Sequence, residues 1–281
     1  MKKQINLLLS LATVGIFAVT GLAVSQQNAQ AKSATVKIGT HSVPRDYLNT
    51  DTYYKTTKKV SVNAHWFASN KEFSTKLTVP KGTVITGKTQ MIQVGKKWKS
   101  GLLLNQKNNL RYKYIKSGID KGYSLAQIDT TNKAAFSKVK TPTFVPTYSH
   151  GNLTIGGTSA IGSSSSKSVQ FTSDGYVEVH TNTNKSYNAL AYYRTPSASV
   201  KITKTSVKGS YRYIYTKTKI KGLTTKHVKT TGNYRYRLTL KNQHKPVFLA
   251  GDPDNDLQAA YYSLYSLGGK TYFTQIAQEA E

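Results

Sequence analysis

The chain contains no cysteine. Thiol catalysis, disulfide staples and cysteine-based zinc sites are excluded, so stability must come from a packed core. Acid is also scarce: 12 Asp and Glu stand against 40 Lys and Arg, a formal charge of +28. Glutamate occurs only as Glu72, Glu178, Glu279 and Glu281. Glycosidic cleavage ordinarily needs two well-placed carboxylates, and metal-assisted hydrolysis needs a ligand set. The six histidines are scattered, and no HExxH, His-x-His or GxSxG occurs. One pair, Glu178 and His180 in YVEVHT, shares a strand face. It is open to acid–base or metal chemistry, but such a pair is more often a solvent-facing polar row.

What the chain does have is tyrosine, 20 residues of it, with abundant Thr, Val and Ile. A disordered basic tail lacks these residues, and β-strands favour them. A length of 281 residues allows one large domain or two modest ones. So large a positive charge predicts a polyanionic partner: nucleic acid, a membrane surface or an acidic wall polymer.

The first 31 residues choose among these. A cationic MKKQ precedes an apolar run from Ile5 to Val24, and Ala29-Gln30-Ala31 follows with small residues at the positions a signal peptidase reads. The pattern predicts a signal peptide cleaved before Lys32, against an uncleaved membrane anchor as the alternative. Export argues against nucleic acid and leaves an extracellular anion.

Beyond the signal, residues 141–167 are rich in Pro, Gly and Ser and carry one charge, Lys167. They read as a linker, with a short strand possible at NLTIGG. The expected organisation is a signal helix over 1–31, a basic β-rich module over 32–140, the linker, and a second β-rich module over 168–281. The first module carries 21 basic and 5 acidic residues, the second 16 and 7. Period-two runs predict short strands at 59–64, 76–80, 83–87, 91–95, 110–116, 169–173, 176–181, 199–207, 211–220, 234–240 and 245–251. Helical spacing of Leu257, Ala260, Tyr261, Leu264 and Leu267 predicts a helix over 257–267, ended by Gly268, and a weaker helix falls within 124–139. The fold class is mainly β, as two small barrels or sandwiches with one helix in the C-terminal half.

The segments YYKTTKKVSV, TKLTVPKGTVITG, GKKWKSGLL and LRYKYIK together resemble secreted surface proteins of lactic acid bacteria that carry SH3b-like or surface-layer-type wall-binding modules. The resemblance covers about residues 44–116 and, more loosely, 191–245. It implies small barrels and binding to the cell wall. No Gly-Trp dipeptide and no LPxTG-like signal occurs, so the expected attachment is noncovalent.

Three strands alternate tyrosine with base. RYKYIK sets Tyr112 and Tyr114 against Arg111 and Lys113. YRYIYTK sets Tyr211, Tyr213 and Tyr215 against Arg212 and Ile214. NYRYRLTLK sets Tyr234, Tyr236, Leu238 and Leu240 against Arg235, Arg237, Thr239 and Lys241. Such rows either solvate an exterior or bind an anion. The predicted polyanion- or glycan-binding residues are Arg111, Lys113, Arg212, Arg235, Arg237, Lys241, Tyr112 and Tyr213. Asp252, Asp254 and Asp256 are spaced like the first ligands of a calcium loop. An EF-hand needs Gly and Glu where Leu257 and Ser263 stand, so the alternative is a capping turn. The expected function is a secreted, nonenzymatic wall protein without cofactor, except for possible Ca2+. It would bind teichoic acid or peptidoglycan noncovalently. A wall hydrolase and an adhesin for host glycans are the alternatives.

Overall fold

The computed structural model describes residues 34–68, 71–105, 109–161, 167–181, 195–251 and 258–279. The predicted signal segment and Asp252, Asp254 and Asp256 lie outside them. The described fold is mainly β, and residues 33–281 form one compact unit. Among the described residues no helix is long and apolar enough to cross a membrane.

Residues 53–139 build a seven-stranded antiparallel sheet. Its strands are β3 (Tyr53–Thr56), β4 (Val60–Ala68), β5 (Lys71–Val79), β6 (Val84–Val94), β7 (Lys97–Leu104), β8 (Ser124–Thr130) and β9 (Phe136–Val139). They lie in the order β5-β4-β8-β7-β6-β3-β9. Period-two runs put Val60, Val62, Ala64 and Trp66 of β4 on one face, where Ile85, Leu104 and Ile128 join them in a core. A helix, α1 (Tyr112–Ile119), covers that core with Tyr112 and Ile115.

That helix corrects the strand expected at 110–116. Tyr112, Ile115 and Ile119 recur at helical spacing, and the Tyr/Lys alternation fits either period over so short a run. Packing decided: an added Cβ on Gly118 would come within 2.2 Å of the Trp66 ring. Only a helix with glycine there lets the indole lie against its backbone.

Residues 152–278 close into a barrel. Its strands are β10 (Asn152–Ile155), β11 (Lys167–Phe171), β12 (Tyr176–Thr181), β13 (Ala198–Lys208), β14 (Tyr211–Thr216), β16 (Tyr236–Leu249), β17 (Ala260–Leu267) and β18 (Lys270–Gln278), with a short β15 (Lys226–His227) outside. The order β14-β13-β12-β11-β10-β18-β17-β16 closes through a β14–β16 pairing, giving eight strands and no free edge. Leu153, Val169, Phe171, Val177, Val179, Ile214, Leu238, Leu240, Tyr265 and Tyr272 fill the interior. The stretch expected to be a linker contributes β10 to this barrel and buries Val145. The expected strands at 234–240 and 245–251 are one strand, β16. An irregularity between Asn242 and Pro246 bends it, so that its first half closes the barrel and its second half pairs with β17.

The helix expected at 257–267 is instead strand β17 from Ala260, paired on both sides. Leu264 and Leu267 fit a helical face, but Ser263, Tyr265 and Leu267 also fit period two, and Tyr and Ser do not resist extension. Gly268 and Gly269, at φ 56 and 87, form the two-residue hairpin turn to β18 rather than a helix cap. The weaker helix within 124–139 is likewise replaced by β8 and β9. At the amino end, a hairpin of β1 (Thr35–Ile38) and β2 (His41–Pro44) leads to Leu48, which bridges to Ala277 of β18.

Candidate functional site

The barrel wall built from β13, β14 and β16 brings the predicted residues together in an unexpected way. Ile214, Leu238 and Leu240 point inward and are buried. Alternation then turns Tyr211, Tyr213 and Tyr215 outward on β14, and Arg237, Thr239 and Lys241 outward on β16. The tyrosine row of one strand therefore lies beside the cationic row of the next.

The register makes the pattern specific. Tyr215 sits between Lys204 and Arg237, Tyr213 between Ser206 and Thr239, and Tyr211 between Lys208 and Lys241. Outer and inner rows recur every second residue, about 7 Å apart. The Tyr211 and Tyr213 rings stack with centroids 6.0 Å apart and planes 6° from parallel. The Arg237 guanidinium lies 4.8 Å from the Tyr213 centroid, and Lys241 lies 5.4 Å from Tyr211. Lys204 lies 5.5 Å from Tyr234, whose ring meets Tyr215 edge-on. A cleft of about 480 Å3 at that end is lined by Lys201, Lys217 and Tyr234. Residues 195–251 hold 13 Lys and Arg and no Asp or Glu. The ladder strands therefore carry no acid of their own, and Lys204, Arg237 and Lys241 lie near aromatic rings.

The remaining predicted residues lie elsewhere. Arg235 is half-buried beside Tyr236. Arg212 points the opposite way from the tyrosines. Its Nε donates to the Thr143 carbonyl at 3.2 Å and its terminal nitrogen to the Thr147 hydroxyl at 3.1 Å. It lines a cleft of about 310 Å3 with Tyr53, Pro142 and Tyr148. Burial holds its pKa below the ordinary guanidinium value. Lys113 is exposed on α1, whereas Tyr112 belongs to the core.

Arg111 joins the sheet to the barrel. Its Nε lies 3.2 Å from the Asp174 carboxylate, and its guanidinium stacks 3.7 Å from the Tyr176 centroid. Next to it Glu178 and His180 are 1% and 2% exposed, which corrects the solvent-facing row. Glu178 accepts from the Tyr112 backbone N–H at 3.1 Å and from the Ser199 hydroxyl at 2.8 Å. The residues flanking them, Val177 and Val179, fill the barrel, so this outer side of β12 faces α1 and is covered by it. Burial pushes the pKa of Glu178 up, and it does the same to Asp174 despite the hydrogen bond from Thr172 and the nearby guanidinium. Burial works against the Arg111 charge too, but Asp174 and the tyrosines outweigh it and hold its pKa up. These groups fasten two sheets together.

No family model, curated protein or solved structure matches the chain. The signal that sequence reading missed was pairing. Lys204 and Lys208 lie on a strand that contains no alternating tyrosines, and only its register against β14 adds them to the face.

Proposed function

We propose that the protein is a noncatalytic binding protein of the cell surface that holds an anionic glycopolymer of the wall along the outer face of β13, β14 and β16. The observation that carries this reading is the alternation of cation–tyrosine–cation rows across three strands. Half-buried tyrosines offer ring edges and hydroxyls to sugars, and flanking Lys and Arg suit phosphates or carboxylates spaced along a chain. Contacts that are weak singly add up along a repeating polymer. The absence of acid from residues 195–251 leaves the face with no competing carboxylate of its own. The apolar run at the amino end and the predicted cleavage before Lys32 support an extracellular location.

The test replaces Lys204, Lys208, Arg237 and Lys241 together with glutamine. Sedimentation with purified walls, with and without their teichoic acid, should show weaker binding and a flatter salt dependence. Three exposed lysines and the half-buried Arg237, at about 0.2–1 kcal/mol each, amount to a loss on the order of fourfold or more. Binding unchanged by the fourfold substitution would reduce the face to a solvated exterior. Equal binding to nucleic acid would mean that the face reads charge alone.

A further inference from the structure

The second unusual surface is the β6–β7 hairpin. β6 pairs with β3 only over Val84–Thr86, and β7 pairs with β8 only over Leu102–Leu104. From Lys88 to Gly101 the two strands pair only with each other, across a turn at Gly95 with φ 60. A hydrogen bond from Lys133 to Ser100 at 3.0 Å and the buried Ile92 brace the base of the hairpin, and its tip projects beyond them. A free two-stranded hairpin is marginal in water even when its surface is polar. This one exposes Trp98 by 62%, Met91 by 50% and Val94 by 45%.

Trp98 pairs with Gln93 and Met91 with Ser100, so the two large apolar side chains share one face. Val94, next to the turn, projects from the opposite face. Lys96 lies in the turn, Lys88, Lys97 and Lys99 lie on the opposite face of the same narrow hairpin, and no acidic residue occurs between Glu72 and Asp120. An apolar face on a narrow, lysine-bearing hairpin is the chemistry of a lipid interface. Tryptophan prefers the headgroup boundary, and lysine stems lie along apolar surface while their ammonium groups reach anionic headgroups.

We propose that the hairpin 88–101 docks on an anionic lipid bilayer, with Trp98 and Met91 entering the headgroup boundary and the lysines pairing with phosphates. This site is separate from the tyrosine ladder on the barrel, and neither depends on the other.

The experiment uses residues 32–281, which hold all three hydrophobic cores, because the apolar run 5–24 would itself bind lipid. Vesicles of phosphatidylcholine alone and of an equal mixture with phosphatidylglycerol are sedimented with the protein. The expected result is selective binding to the anionic vesicles, with a shift of tryptophan emission to shorter wavelength. Trp66 is buried, donating from its ring nitrogen to Thr75, so the shift reports on Trp98 and should vanish in Trp98→Phe. Trp98→Ala with Met91→Ser should abolish binding. Lys96→Gln, Lys97→Gln and Lys99→Gln together leave the apolar face intact and should weaken binding by roughly a hundredfold. The fourfold ladder variant should bind vesicles as well as the parent does. Failure to bind anionic vesicles, or binding that survives both hairpin variants, would overturn the proposal. So would a hairpin whose substitution changes only wall binding or self-association.

Discussion

At the residue scale, chemically similar cations play opposite parts. Arg237 lies on an outward aromatic strip, whereas Arg111 is enclosed between two sheets by Asp174 and Tyr176. Removing an exposed charge costs little, because solvent screens it and the side chain recovers its freedom. Removing one member of an enclosed pair leaves the other charge without compensation. Arg111→Ala should therefore cost about 3–5 kcal/mol of stability, read from denaturant midpoints, while wall binding by the folded fraction stays the same. Arg237 is half-buried, so Arg237→Ala should shift the midpoint by about 1 kcal/mol, less than Arg111→Ala does, and should weaken binding. If both variants were equally stable, the Arg111–Asp174 contact would contribute no more than a surface pair.

At the element scale, α1 is held by its fit to the sheet more than by its own propensity. It spans eight residues, too few to persist alone in water. Gly118 is the point of closest approach, with the Trp66 ring against its Cα. Glycine inside a helix is unfavourable by about 1 kcal/mol relative to alanine, so propensity alone predicts that Gly118→Ala stabilises. The indole reverses the sign. The added methyl must displace a buried ring, and the expected net effect is a loss of about 1–3 kcal/mol, measured by chemical denaturation. A neutral or stabilising result would mean that the ring can move aside. The β16 strand makes the opposite point. It contains Pro246 and a residue with positive φ, His244, yet it remains one strand because both fall where the ladder is irregular.

At the scale of the whole molecule, the contact between sheet and barrel depends on pH. Burial raises the carboxyl pKa of Glu178 and of Asp174 above their ordinary values. The folded chain then holds these protons more tightly than the unfolded chain does. By linkage, stability falls as pH rises through the window between the ordinary carboxylate value and the raised one. It is recovered as pH falls through the same window. Thermal melts taken from neutral pH down toward the carboxylate range should show this contribution as a gain on acidification. Glu178→Gln should flatten it, because the amide keeps the shape and cannot ionise. A variant with the parent's pH profile would show that Glu178 does not titrate in that window.

Much of this molecule was legible in its sequence. Strand period, tyrosine content and the scarcity of acid specified a mainly β, strongly basic chain, and from Tyr236 on the two faces of NYRYRLTLK are the faces of β16, whereas Tyr234, ahead of the strand, joins the outer row expected to exclude it. Such alternation is local: successive side chains on an extended backbone point to opposite sides whatever lies next to them. Which side is the outside is not local. Tyr211, Tyr213 and Tyr215 look like core residues until β14 pairs with β16, when the interior is filled by Ile214 and Leu238 and the rings are left half-buried on the outer wall. The short runs at 110–116 and 257–267 fitted both periods, and only their neighbours chose, Trp66 for the helix and two flanking strands for β17. The ladder exists because the β13–β14 hairpin meets β16, about twenty residues further on, in one register, and neither segment of the chain carries that information alone.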